Sequence, residues 1–438
     1  MKEPSIARSW LLSAALCLSV AVWCGDGTGV PFAMIWLFAG LTAGTVALNG
    51  GKFSQLKQWG SLLASVLILV SSSLAFLKSP GVYLEASAST SAHHWFFLKT
   101  LAIASGVAAW FSGGNKARVL FLVCLFASFE GIVWVLSNAP NPIIDVVHFF
   151  RDGTDAILHG KNPYEISMAN IYGPETRLYA ASLIDGERLK FGFPYPAVTL
   201  LAGAIGQILA HDYRFLFAGV FILGLGIFGL RNDFSRQAVL CLILNPRLEF
   251  VFEQGWTDGL TSGLLAAALG LFPFLPLGAT LLTALWICSK PYFLPFAVLA
   301  NPFDRDQAAR KRTFLLWGMV ILFYGIPLLI SFHSYLWSCF TIQFVQPVRP
   351  DSLSFLFSHG GLLPAALVIW LCGLVPFLRH PVLLMQSANA RFLLLAWLLF
   401  GFFAFNKQAF ANYYFSLISV LALGSTLPFS TSKTQCPS

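Results

Sequence analysis

The chain has 438 residues, of which 57% are hydrophobic and only 11% charged, with a net charge of +8. Soluble domains keep about a quarter of their residues charged, so this composition, with a mean hydropathy of +0.73, excludes an ordinary soluble domain. The surplus of Lys and Arg sits in short loops, as membrane anchoring requires, and no nucleic-acid partner is expected.

Taken in chain order, apolar blocks of roughly 15–22 residues match the length that crosses a ~30 Å hydrocarbon core. They fall near 9–24, 31–48, 59–77, 95–111 and 117–136. A break of roughly 60 residues follows. Further blocks lie near 196–211, 214–230, 236–250, 257–274, 276–302, 313–331, 361–378, 391–405 and 409–427. Backbone groups in lipid must bond within their own segment, so each block is expected to be helical. The expected fold is all-α: a polytopic membrane protein with about 12–14 transmembrane helices. Residues 1–25 resemble a signal peptide, but Trp23 before Cys24 is too large for a cleavage or lipobox position, so a retained first helix is expected. The eight cysteines show no CxxC pair, and most read as small buried hydrophobes. No cofactor is expected.

The Lys/Arg bias sets an expected orientation in the plasma membrane. Lys2 and Arg8, Lys52 and Lys57, and Lys116 and Arg118 alternate with the Lys/Arg-free 25–30 and the mostly neutral 79–94. Both termini then lie in the cytoplasm and the 137–195 loop lies outside, along with 332–360. The cluster "RDQAARKR" (305–312), Arg379 and Arg391 fall inside. Arg231 and Arg236 conflict with this count, so either Asp233 softens the bias or a segment between 196 and 302 is re-entrant.

The outer loop holds the densest chemistry: "IIDVVHFFRDGTDAILHGKNPYE", residues 143–165. On a helix over 145–159, Asp145, His148, Asp152, Asp155 and His159 recur at steps of three and four and share one face. Val146, Val147, Phe150 and Ile157 lie on the other. Such a segment is too short and charged to span, and lies along the interface; Gly160 ends it and "KNPY" turns. Three readings stay open: a solvated amphipathic helix, a partly desolvated carboxylate at Asp145 acting as a base, or a divalent-metal site of Asp and His.

The stretch "IDVVHFFRDGTDAILHGKNPY" with "GFPYPAVTLL" (192–201) resembles the GT-C superfamily of polyprenol-phosphate-dependent glycosyltransferases, in particular its alpha-mannosyltransferase-like family. The shared features are an aspartate after a membrane helix, a Gly-x-Asn-Pro-Tyr turn and an aromatic Tyr-Pro lead into the next helix, here with Ala197 where a second proline is usual. Weaker echoes are "EQGWTDG" (253–259), "SKPYFLPF" (289–296), "RPDSL" (349–353) and "NYYFSLISVLAL" (412–423). The resemblance covers roughly 117–428. It implies a glycosyltransferase core over 113–430, N-terminal helices of unassigned role over 1–112 and a cytoplasmic tail over 431–438.

The resemblance further implies that Asp145 deprotonates the acceptor hydroxyl while cations hold the departing lipid phosphate. Arg349, beside Asp351, is the first choice, with Lys290, Arg151 and Lys407 as further candidates; Arg offers a bidentate fork. His148, Asp155, Tyr164, Tyr195 and Gln254 are candidates for sugar or acceptor contact, and no metal is expected. The partners implied are a polyprenyl-phosphate-linked sugar, with mannose favoured by resemblance, a glycolipid, glycan or protein acceptor, and membrane lipid. A secondary transporter or flippase is the alternative from another class, and would show charge at the midplane of broken helices.

Overall fold

The computed structural model describes residues 5–49, 56–300, 307–357, 361–381, 384 and 387–426. The chain is mostly helical. It opens with α1 (Ser5–Gly25), α2 (Pro31–Asn49), α3 (Leu56–Leu74), α4 (Ala88–Phe111) and α5 (Gly114–Asn138), then the short α6 (Asp145–Leu158). After a loop come α7 (Ala197–Ala210), α8 (Tyr213–Gly229), α9 (Asp233–Ile243), α10 (Leu248–Glu253), α11 (Asp258–Leu271), α12 (Pro276–Ile287) and α13 (Ala297–Ala300). The last third contains α14 (Gln307–Ile330), α15 (Phe332–Leu336), α16 (Ile342–Val345), α17 (Leu362–Arg379), α18 (Ala388–Ala404) and α19 (Ala411–Gly424).

Twelve to fourteen transmembrane helices are expected from the sequence, and the structure bears out the coarser statement, a mostly helical chain with several apolar spans. Among the described residues, five helices are long and apolar enough to cross a membrane: Ala7–Gly25, Pro31–Asn49, Gly114–Asn138, Arg310–Ile330 and Leu362–Arg379. The pair α7 and α8, bent by 106°, makes a sixth if counted as one span. Single blocks divide at chain breaks that hydropathy does not see. The block 236–250 divides at Asn245-Pro246 into α9 and α10, and 276–302 divides at Lys290-Pro291 into α12, a 3₁₀ segment (Pro291–Phe296) and α13. Proline pushes the residue before it out of the helical region. The 12 residues of α12 rise only about 18 Å, short of a ~30 Å core.

The long loop carries what an all-α expectation omits, a three-stranded antiparallel sheet of two-residue strands: β1 (Met168–Ala169), β2 (Ile184–Asp185) and β3 (Arg188–Leu189), in the order β1-β3-β2. Met168 pairs with Leu189 and Ile184 pairs with Leu189 from the other side. The β2–β3 hairpin turns on Gly186, whose φ of 59° is costly for a residue with a Cβ.

One hydrophobic core runs from Leu11 on α1 to Leu423 on α19, so the N-terminal helices share it with the rest of the chain. At the α8–α11 crossing, a Cβ at Gly263 would strike the Val220 carbonyl and one at Gly224 the Gly263 carbonyl. Small residues let the two backbones touch there, the usual contact where lipid supplies no hydrophobic drive. Arg236, the source of the topology conflict, is buried and paired with Asp233 at 2.6 Å, while Arg231 donates to the Leu269 carbonyl at 2.8 Å. Lys2, Lys52, residues 305–306 of the basic cluster and the 431–438 tail fall outside the described residues.

Candidate active site

The loop end bearing Asp145 is assembled from five segments distant in sequence. Residues 26–30 join 351–352 through a Thr28–Ser352 bridge and a Gly29 N–H to Asp351 carbonyl bond of 2.9 Å. Arg247 ties Asp26 (2.9 Å) to the Ser79 carbonyl (2.7 Å), and Lys78 joins Asp26 at 3.1 Å. Arg349 N–H donates to the Lys407 carbonyl at 3.1 Å.

Asp145 begins α6, where Pro142 and the extended Ile144 end the preceding connection. Its Oδ1 accepts from the Val146 N–H at 2.8 Å, and its Oδ2 accepts from the Tyr179 hydroxyl at 2.6 Å. Its own N–H donates to the Tyr172 hydroxyl at 3.2 Å. The Tyr179 ring is buried and packs edge-on to Phe191, which in turn meets Phe149 of α6. Burial raises the Asp145 carboxyl above the ordinary carboxylate range; the Tyr179 hydroxyl, the Val146 N–H and the charges of His148 and Arg349 pull the other way. The result is a more basic carboxylate with one oxygen aimed by a phenol. The same proximity pushes Tyr172 and Tyr179 upward, after burial as the larger cause.

Arg349 holds Asp351 bidentately, at 2.9 and 2.7 Å, and lies over the Phe410 ring at 4.7 Å. Its side chain remains 23% exposed, and its charge reaches Asp145 and Tyr172. Asp351 is held below the ordinary carboxylate range by that pairing.

Lys290 and Asp258 form a second charged group, 3.0 Å apart and 4% and 0% exposed. Asp258 also accepts from Ser416 Oγ at 2.5 Å. Lys290 Nζ stands 6.0 Å from the Tyr195 ring and 5.7 Å from the Tyr292 ring. Tyr195 links the two groups: it stacks on Phe150 of α6 at 5.6 Å and feels the charges of both Asp145 and Asp258.

The other sequence candidates are placed elsewhere or otherwise engaged. Arg151 donates to the Pro140 carbonyl (2.5 Å) and to Asn141 (3.2 Å), pinning the connection that leads to Asp145. Lys407 Nζ donates to the Phe344 and Gln346 carbonyls at 3.2 and 2.7 Å, and it forms no ion pair among the described residues. His148 is half-buried one turn from Asp145, and burial lowers its proton affinity. Asp155 lies about 15 Å further along α6, exposed and paired with His159 at 3.2 Å. The polar stripe therefore does not converge on Asp145, and no group of three metal-ligating side chains occurs among the described residues.

Tyr164 is buried against Tyr335 at 4.7 Å and donates to the Tyr195 carbonyl at 3.3 Å. Gln254 is buried and donates to Glu253 at 3.1 Å.

Sequence reasoning missed Tyr172 and Tyr179, because nothing local marks which loop tyrosines return to Asp145. It also missed Lys99 of α4 and Glu249 of α10, joined at 2.8 Å with both side chains buried. A lone Lys inside an apolar block is a legible signal for such a pair, but its partner lies 150 residues away.

An apolar groove of about 520 Å³ runs between α17 and α18, lined by Phe296, Leu367, Trp370, Phe402 and Phe405 and carrying Asn406 and Lys407 on its wall. A smaller cavity of about 270 Å³ lies by the loop sheet, beside Tyr164, Glu165, Lys190 and Ser338. No protein-family model, curated protein or solved structure matches the chain, so the site has to be read from its geometry.

Proposed function

We propose that this membrane protein transfers a sugar from a polyprenyl-phosphate donor to an extracytoplasmic acceptor hydroxyl, with Asp145 as the general base and mannose as the favoured sugar. One observation carries the reading furthest. An apolar groove reaches Lys407, whose backbone is bonded to Arg349, and the Arg349 charge in turn reaches the desolvated Asp145. A lipid tail, an anionic phosphate and a proton acceptor would then be served in sequence along one surface. Charge grows on the phosphate as the glycosidic bond breaks, and cations fixed beforehand stabilise it without reorganising. Asp145 takes the acceptor proton as the hydroxyl attacks, and burial has raised its basicity for that purpose.

The Lys290–Asp258 pair at a helix break favours a second reading, a secondary transporter, because buried charge beside broken helices is what such a site uses. Two assays separate them. Membranes containing the protein are incubated with a panel of labelled polyprenyl-phosphate sugars, and proteoliposomes are tested for uptake of the free sugars. Transfer of label from a lipid phosphate supports the enzyme; uptake without transfer overturns it.

A further inference from the structure

The smaller cavity, beside the loop sheet, stands where a membrane span ends. The span of α14 closes at Ile330, next to Leu329, which is 89% exposed. Ser331 follows, and α15 runs on into a π-helical segment, Trp337–Thr341. Phe332 and Leu336, one helical turn apart, are apolar and exposed. Ser334 and Ser338, also one turn apart, line the cavity together with Trp337. An apolar face beside a polar one, directly after a lipid-facing span, is how a helix lies at the level of lipid headgroups. Trp337 suits that depth, and π segments are rare and frequent at functional sites.

The walls are held in place. The Trp337 indole N–H donates to the Lys190 carbonyl at 2.8 Å, and the Gly192 N–H donates to Ser338 Oγ at 2.9 Å. Two opposite charges line the space between them, Glu165 and Lys190. Both are exposed, and neither forms an ion pair among the described residues. Glu165 Oε1 accepts from Ser331 Oγ at 2.6 Å, which fixes the carboxylate and leaves its second oxygen open. Lys190 follows β3, where buried Leu189 points inward, so Arg188 and Lys190 share the opposite face. The Arg188 guanidinium donates to the carbonyl of Ser167 on the cavity wall, which turns that face toward the cavity.

We infer that this cavity binds the headgroup of an aminoethyl phospholipid, phosphatidylethanolamine, with Lys190 on the phosphate and Glu165 on the primary ammonium. The inference goes beyond glycosyl transfer and does not depend on it. Its volume of about 270 Å³ falls below the ~300–1,000 Å³ of drug-sized ligand sites, so it suits a headgroup better than an oligosaccharide. Charge selects among headgroups. A purely anionic one leaves Glu165 facing no cation, and a trimethylated ammonium has no N–H to donate to it. The exposed Phe332 and Leu336 beside the cavity point to a ligand that arrives with acyl chains. Phe191 lines this cavity and also packs edge-on to Tyr179 at 6.1 Å, so the occupant rests against the wall that holds Tyr179 on Asp145.

The test is native mass spectrometry of the purified full-length protein in detergent micelles, titrated with dioleoyl phosphatidylethanolamine, phosphatidylcholine or phosphatidylglycerol. A hydrogen bond to a charged group is worth about tenfold or more in affinity, so wild type retains one phosphatidylethanolamine about tenfold more tightly than either other lipid. Glu165→Gln loses that tenfold while its phosphatidylglycerol binding holds or rises, which also shows the variant to be folded. Lys190→Met weakens both lipids, and Lys190→Arg restores them. Equal retention of the three lipids, or a preference that survives both Glu165→Gln and Lys190→Met, overturns the assignment. Displacement of the lipid by an equal concentration of free phosphoethanolamine would make the ligand a soluble one, and displacement by methyl mannoside would make the cavity a saccharide site; either result overturns it. Should Lys190→Met fail to fold, Glu165→Gln alone decides.

Discussion

The Lys290–Asp258 pair gives the sharpest energetic prediction. Lys290→Met leaves the Asp258 carboxylate buried with Ser416 as its remaining donor at 2.5 Å. Asp258→Asn leaves a buried ammonium facing the Tyr195 and Tyr292 rings at 6.0 and 5.7 Å. Stranding one member of a buried pair costs about 3–5 kcal/mol. The rings can return part of that to the ammonium, up to about 2 kcal/mol where it is desolvated, so Asp258→Asn is expected to be the milder single. The double substitution removes both charges together and should cost less than Lys290→Met alone, with a coupling of at least about 2 kcal/mol. Reversible unfolding in mixed micelles, measured for all four proteins, gives the cycle. Costs that add to within about 0.5 kcal/mol would refute the argument that the two charges compensate each other. Donor KM in the stable double variant then reports whether Lys290 also meets the phosphate.

Three further outcomes follow from the packing. The Tyr179 hydroxyl stabilises the charged form of Asp145, so Tyr179→Phe makes the carboxylate more basic. Activity requires the deprotonated base, and the acid limb of the pH–rate profile must therefore move to higher pH; a limb that stays or moves down refutes the assignment. Lys99→Met should destabilise by about 3–5 kcal/mol, because it leaves Glu249 buried without its cation, and Lys99→Met with Glu249→Gln should recover most of the loss in the same unfolding assay. Gly263→Val should prevent accumulation of folded protein, since the Val220 carbonyl blocks any Cβ there and backbone cannot yield as a side chain can; wild-type yield after detergent extraction would show the α8–α11 contact to be looser than drawn.

Much of the helical framework was legible because a membrane imposes length and apolarity. The block 31–48 became Pro31–Asn49, and 117–136 became Gly114–Asn138. Single blocks divided into shorter helices where apolarity continued through a break. Asn245-Pro246 and Lys290-Pro291 are visible in the sequence, yet hydropathy averages across them. The start of α6 at Asp145 was also legible, from the polar stripe. The stripe misled beyond its first turn, since a shared helical face says nothing about what packs over each end: Asp155 reached solvent while Asp145 met Tyr179. Partners set by loop path, such as Tyr179, carry no periodic signal at all. The small loop sheet escaped for a similar reason, its strands being too short to alternate, although Asp185-Gly186 is a hairpin signal that was there to read.

The central claim is most directly tested by sugar transfer from labelled polyprenyl-phosphate donors in Asp145→Asn and Asp155→Asn proteins inserted at wild-type levels. Both lie on α6 and both lose one carboxylate, but only Asp145 is desolvated and held by Tyr179. Removing a general base costs about 10²–10⁴ in rate, so the account predicts that loss for Asp145→Asn and near wild-type transfer for Asp155→Asn. Full transfer by Asp145→Asn would contradict it.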